Sequence, residues 1–287
     1  SRCSPFLVAV NVRDDLLSRA ATGKNFRGER FIGIDLSGCD LAGLDFSRAD
    51  FSTANLANAD LSEATLRGAT LQGTSLTSAR MGRCRLAQAW GMHADLTEAH
   101  LDGADLREAH FDAASLINAS LKGADVRGCS FVDAQLRSAD FSDAKCDAAD
   151  FSGTDLAGAN FHGADLTDAI FAGANLAGVD LRDTWLTGAD FAGSNIEEAV
   201  VDTSDVAAAD NQFLKRADLA SLALAGRDLR RVDLSGRDLR EAAWPEVQLR
   251  GANLAGVDLS DADLSGADLV GANLEPVSYT HLTLPTI

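Results

Sequence analysis

No stretch of this 287-residue chain approaches the ~20 consecutive apolar residues that a membrane span needs. The apolar run Phe6 to Val10 near the start is too short, and lacks the cleavage pattern, for a signal peptide. Methionine is scarce. Only Met81 and Met92 occur, and the chain opens with Ser, so its natural start is expected upstream. Basic residues are outnumbered, and the formal net charge is −18. Direct binding to DNA or RNA through a basic patch is thereby excluded, because phosphate affinity comes from clustered Lys and Arg. The five cysteines have neither metal-ligand nor CxxC spacing. They read as small buried hydrophobes in a reducing compartment, which places the protein in the cytoplasm. Motifs for catalysis are missing too: there is no GxxxxGK[ST], no GxGxxG after a strand and no HExxH. No cofactor and no metal are expected, and the chain does not read as an enzyme.

What is present is a period of five. From Phe26 every fifth residue is large and apolar (Phe31, Leu36, Leu41, Phe46, Phe51) and the series runs to Val206. Gly91 interrupts it, and Cys146 is borderline. Two residues earlier stands a small residue, usually Ala, and Asp or Asn often lies between. A period of five fits neither a helix nor a long strand. It describes a short alternation, small in, polar out, large in, followed by a turn rich in Gly and Asn. Such a unit cannot bury its own apolar side chains and must coil so that each turn stacks on the last. The phenylalanines set the coil. Phe31, Phe51, Phe111, Phe131, Phe151, Phe171 and Phe191 are separated by multiples of twenty, so four pentapeptides make one coil with four sides. About nine coils stacked ~4.8 Å apart give a rod of roughly 40–45 Å.

The string Ala262-Asp263-Leu264-Ser265-Gly266-Ala267-Asp268-Leu269 and its variants resemble the A(D/N)LXX motif of pentapeptide-repeat proteins. The resemblance covers 26–274 and implies an all-β fold, a right-handed quadrilateral β-helix. Residues 1–25 are then an N-terminal flank or cap, and 26–206 the main solenoid. At 207–213 the register breaks. The repeat resumes at Leu214 and runs to Leu274 as a second, shorter array. One reading is a loop inside one rod. The other is two tandem arrays, supported by the likeness of Ile34-Asp35-Leu36-Ser37-Gly38 to Val232-Asp233-Leu234-Ser235-Gly236. Residues 275–287 form a non-repeat tail holding the only Tyr, Tyr279. Its ending resembles translated adapter sequence and is expected to lie outside the native protein. In relatives the true C-terminus can carry a dimer-forming helix, so a homodimer is a further expectation.

Function is expected from the outward residues. Asp112, Asp133, Asp150 and Asp190 fall on the side of the Phe column, and Asp95, Glu98 and Asp155 on the next. Carboxylates on these two sides are almost unopposed. A basic protein partner is the expected consequence. Around Gly91, Trp90 and Met92 are either an exposed binding anchor or side chains turned inward to fill the space a Gly leaves. The chain therefore reads as a non-enzymatic protein–protein interaction scaffold. The family resemblance implies an alternative, a DNA mimic that binds a type II topoisomerase such as DNA gyrase and protects it from poisons.

Overall fold

The computed structural model describes residues 12–22, 25–201, 220, 224–226, 229–278, 281 and 283. From residue 25 onward the repeat is written directly into the backbone. Each pentapeptide makes one bridging residue and one tight turn. In Ala49-Asp50-Phe51-Ser52-Thr53, the carbonyl of Phe51 accepts the N–H of Ala54 at 2.8 Å and Thr53 takes φ 57°. A positive φ at the third residue of a hydrogen-bonded four-residue turn marks type II geometry. Gly is favoured there because it lacks the Cβ that penalises this region, and Asn because its short side chain bonds locally.

Bonds between coils use the same residues. Phe51 N–H donates to Thr70 O at 2.8 Å, Asp50 N–H to Glu29 O at 2.8 Å, and Thr53 N–H to Gln72 O at 2.9 Å. Every described bridge is parallel and joins residues twenty apart, from Arg30 with Asp50 to Asp180 with Val200, and from Asp233 with Asn253 onward. A coil is therefore twenty residues and four sides, a quadrilateral β-helix wound right-handed, as connections between parallel strands almost always are. The four sides are numbered here by their inward columns: face 1 carries residues 31 to 191, face 2 residues 36 to 196, face 3 residues 41 to 181 and face 4 residues 26 to 186.

The interior is filled by stacked identical side chains. On face 1, Phe111, Phe131, Phe151, Phe171 and Phe191 form one column with centroid separations of 6.3, 5.3, 5.1 and 5.1 Å. From the opposite wall, Phe141 and Phe161 meet them edge-on at 5.5–6.0 Å. Aromatic pairs favour both arrangements over a face-to-face sandwich. Each buried Leu or Phe contributes about 1.5–3 kcal/mol before conformational entropy is subtracted.

The N-terminal end of the stack is covered. Helix α1 (Val12–Ala20) places Leu16 against the first coil, where both it and Phe26 are buried. Arg19 of α1 lies 4.7 Å from the Phe26 ring centroid and holds Glu29 through two contacts of 2.5 and 2.9 Å. Glu29 occupies a small inward slot where later coils carry Ala; the pairing with α1 accounts for a charge at that place.

Near residue 195 the last coil loosens. Leu176 N–H bonds the Asn195 side chain at 2.6 Å instead of a backbone carbonyl, and a 3-10 turn follows over Ile196–Glu198. The register break expected at 207–213 lies outside the described residues. Beyond it the bridging position has moved from residues such as 190 and 200 to residues such as 233 and 238. One boundary differs from the sequence reading. The array was expected to end at 274, yet Ser278 bridges Asp258 and Thr283 bridges Asp263. Pairing needs only backbone, and Val277 still supplies a partly buried residue at the small inward slot.

Candidate partner-binding faces

The bridging Asp and Asn residues serve the turns first. Asp50 Oδ1 accepts the Ser52 N–H at 3.0 Å, and Asp95 Oδ1 the Thr97 N–H at 3.0 Å; the same bond to the residue two ahead recurs along both ladders. Asn residues add rungs between coils, as where Asn175 donates to Asp155 at 3.0 Å and Asn195 to Asn175 at 3.1 Å. This is the competition of short polar side chains for local backbone, used here to fix turns.

Charge is then sorted by face. On face 1, Asp50, Asp112, Asp133, Asp150 and Asp190 stand against Arg30. On face 2, Asp35, Asp95, Glu98, Asp155 and Glu198 stand against Arg137. Face 3 has more carboxylates, but basic residues hold several of them. Arg80 meets Asp60 at 2.8 Å, Arg83 meets Glu63 at 3.9 Å and Arg182 meets Asp180 at 2.6 Å. Face 4 is close to neutral, with Arg107 and Arg127 bound to Asp105 and Asp125.

The residues expected to bind a partner fall into three groups. Trp90, Met92, Asp112, Asp133 and Asp150 lie together on face 1 over consecutive coils. Asp95 and Glu98 lie around the corner on face 2, in the coil of Trp90. Asp155 and Asp190 are further along the rod, and Asp155 is closed by an ion pair with Arg137. Local hydroxyls hold Asp95, Glu98, Asp112 and Asp150 without neutralising them. Ser130 donates to Asp112, Ser78 donates to Glu98 at 3.2 Å, and Ser152 donates to Asp150 at 2.5 Å. Burial pushes the Asp95 carboxyl up, but the Thr97 hydroxyl and N–H and the Thr77 hydroxyl at 3.1 Å outweigh it and leave Asp95 below the usual carboxylate range. Asp95 is thus held in its anionic form.

The gap at Gly91 is filled in neither of the ways expected from Trp90 or Met92. Both remain outside, 54% and 41% exposed. Instead the Phe111 ring leans into the space: a Cβ on Gly91 would lie 2.3 Å from Phe111 Cε1. That tilt stretches the next step of the Phe column to 6.3 Å. Outside, Trp90 stacks on His110 with centroids 4.2 Å apart and planes 17° apart. His110 was not among the expected residues. Its offset of twenty from Trp90 was the available signal.

The Asp near His100 and His110 are engaged by serines: Ser120 donates to Asp102 and Ser130 to Asp112. Among the described residues, no group of three metal-ligating side chains comes together. The Cys84, Cys129 and Cys146 thiols are enclosed in the stack. Burial pushes Cys84 up to about 12, and the other two well above the ordinary thiol value.

Comparison with known proteins agrees with this geometry. The models "Pentapeptide repeat region" and "Pentapeptide repeats (8 copies)" match residues 94–171 and residues 25–56, 54–89, 174–202 and 246–275. No curated protein matches the chain. Among solved structures, HetL, a pentapeptide repeat protein involved in heterocyst differentiation regulation in Nostoc sp. strain PCC 7120, is 28% identical over 94% of each chain, with a TM-score of 0.35. A trypsin-treated form of QnrB1, a plasmid-mediated fluoroquinolone resistance protein, is 17% identical over 63% of this chain and 93% of its own, with a TM-score of 0.29. A protein of the Arabidopsis thaliana thylakoid lumen is 27% identical over 46% and 65%, with a TM-score of 0.16.

Proposed function

We propose, from the premise that this chain belongs to the pentapeptide-repeat family, that it is a non-enzymatic scaffold whose faces 1 and 2 dock a basic protein. One observation carries this reading. Around Trp90, an exposed aromatic stack borders carboxylates that are engaged only by neutral hydroxyls. An aromatic anchor flanked by unopposed charge is how binding surfaces combine affinity with steering. The buried, unpaired thiols favour a reducing compartment, and we place the protein in the cytoplasm.

A DNA mimic directed at a type II topoisomerase is the competing reading. It calls for negative charge around the rod, and the near-neutral face 4 weighs against it. QnrB1 is described by its resistance role, which concerns that protein.

The test uses affinity capture with the wild type and two variants, Trp90→Ala and the triple change Asp95→Asn, Asp112→Asn, Asp133→Asn. A basic partner should be captured at low salt and lost in both variants, with circular dichroism unchanged. Capture that is indifferent to both variants overturns the assignment of these faces. Inhibition of supercoiling by purified gyrase at micromolar concentration would instead favour the mimic.

A further inference from the structure

Arginines in the first ladder follow a rule. Arg27, Arg30, Arg80, Arg83, Arg107, Arg127, Arg137 and Arg182 each lie within 4.0 Å of a carboxylate. Arg48, Arg67 and Arg85 break it: among the described residues none has a carboxylate that close. In a chain of net charge −18, partners are plentiful, so these exceptions are informative. All three sit on face 4, in three successive coils. They line two open surface hollows, one shared with Thr65 and Gln88 and the other with Ser47 and Gln88.

We infer that Arg48, Arg67 and Arg85 form a strip that receives a short acidic polypeptide segment running along the rod. Guanidinium groups take carboxylates through paired N–H donors, and Thr65 supplies a further hydroxyl at the lining of the hollow. The strip rises by two coil steps, roughly 10 Å at ~4.8 Å per step, which an extended peptide covers in about three residues. Its ends are bounded by Asp45 on one side and by Asp105 and Glu108 on the other. A long polyanion would run onto those carboxylates; a segment with two acidic residues would not. Single-stranded nucleic acid would also want aromatic platforms for its bases. None of the exposed large hydrophobic residues lies on this part of face 4. The strip does not depend on the reading of faces 1 and 2, and together the two would let one rod hold partners of opposite charge.

The probe is a fluorescein-labelled hexapeptide of Gly and Ser carrying two Glu residues two positions apart, titrated with the full chain at about 50 mM salt and followed by anisotropy. Saturable binding is expected, weakened at least tenfold in the variant Arg48→Gln, Arg67→Gln, Arg85→Gln. The control Arg80→Gln, Arg182→Gln removes paired arginines and should bind as the wild type does. Thermal melts of both variants confirm folding. No binding by the wild type, or equal loss in the control, overturns the inference. Tighter binding of a labelled oligo-dT than of the peptide overturns the choice of a polypeptide.

Discussion

Two stretches of the first ladder depart from the usual filling of the coil, in opposite directions. Between residues 126 and 165 each coil holds two phenylalanines on opposite walls: Phe131 with Phe141, then Phe151 with Phe161. In those same coils the face 4 column shrinks to Val126 and Cys146, whereas Leu106 and Leu166 flank them. Around residue 91 the coil instead lacks a side chain, and the ring of the next coil moves in. The first stretch balances volume within a coil, the second between coils. Protein interiors are close-packed, so a solenoid with a fixed coil must conserve side-chain volume locally. Cys146 is explained by the phenylalanines on the two walls beside it, Phe151 and Phe161, and its thiol chemistry has no part in that.

The largest test of this comparison is Phe151→Ala, which removes a ring that contacts four other rings. It should cost about 3–5 kcal/mol in urea denaturation. Gly91→Ala should cost about 1–3 kcal/mol through overpacking against Phe111. Gly91 does not need its glycine for backbone reasons, since it is not among the residues of positive φ. Phe111→Leu should therefore rescue Gly91→Ala, a coupling that a double-mutant cycle reads directly. If the two changes are additive, compensation between coils is wrong. Cys146→Leu should likewise cost about 1–2 kcal/mol, and less in a Phe161→Leu background.

The smallest effect concerns bridging carboxylates of the first ladder outside both stretches. Asp45, Asp60, Asp105, Asp125 and Asp180 all titrate below the usual carboxylate range. For Asp60 the main cause is the Ser62 hydroxyl, and for Asp105 and Asp180 the neighbouring arginine; in Asp45 and Asp125 burial acts the other way and is outweighed. A depressed folded value means that these groups add stability above the unfolded carboxylate pKa and lose it as pH falls through the folded one. Thermal midpoints should hold steady from pH 7 to about 5 and decline below about 4. A decline already under way at pH 6 would contradict this.

Much of this was legible in the residues alone. The five-residue period, the twenty-residue coil and the Phe column follow from spacing, and spacing is what the ladder preserves. Asp as a turn residue was legible for the same reason. Rotamers were not. Nothing in the string around Gly91 says that Phe111 would move while Trp90 stayed outside, because that choice depends on space left by another coil. The ion pair that occupies Asp155 was hidden too, since Arg137 reaches it diagonally from the neighbouring coil. Ser278 and Thr283 were missed because the tail resembles translated adapter sequence, although its backbone continues the ladder.

Helix α1 has a consequence for how the chain comes off the ribosome. It is made before the coils it covers, and it rests on the first of them. Each later coil bonds mainly to the one twenty residues earlier. A nascent chain of this design always presents a finished template to the residues that follow, so it can add coils in the order of synthesis. The open edge during that growth is at the newest coil, while the oldest is already shielded from other chains.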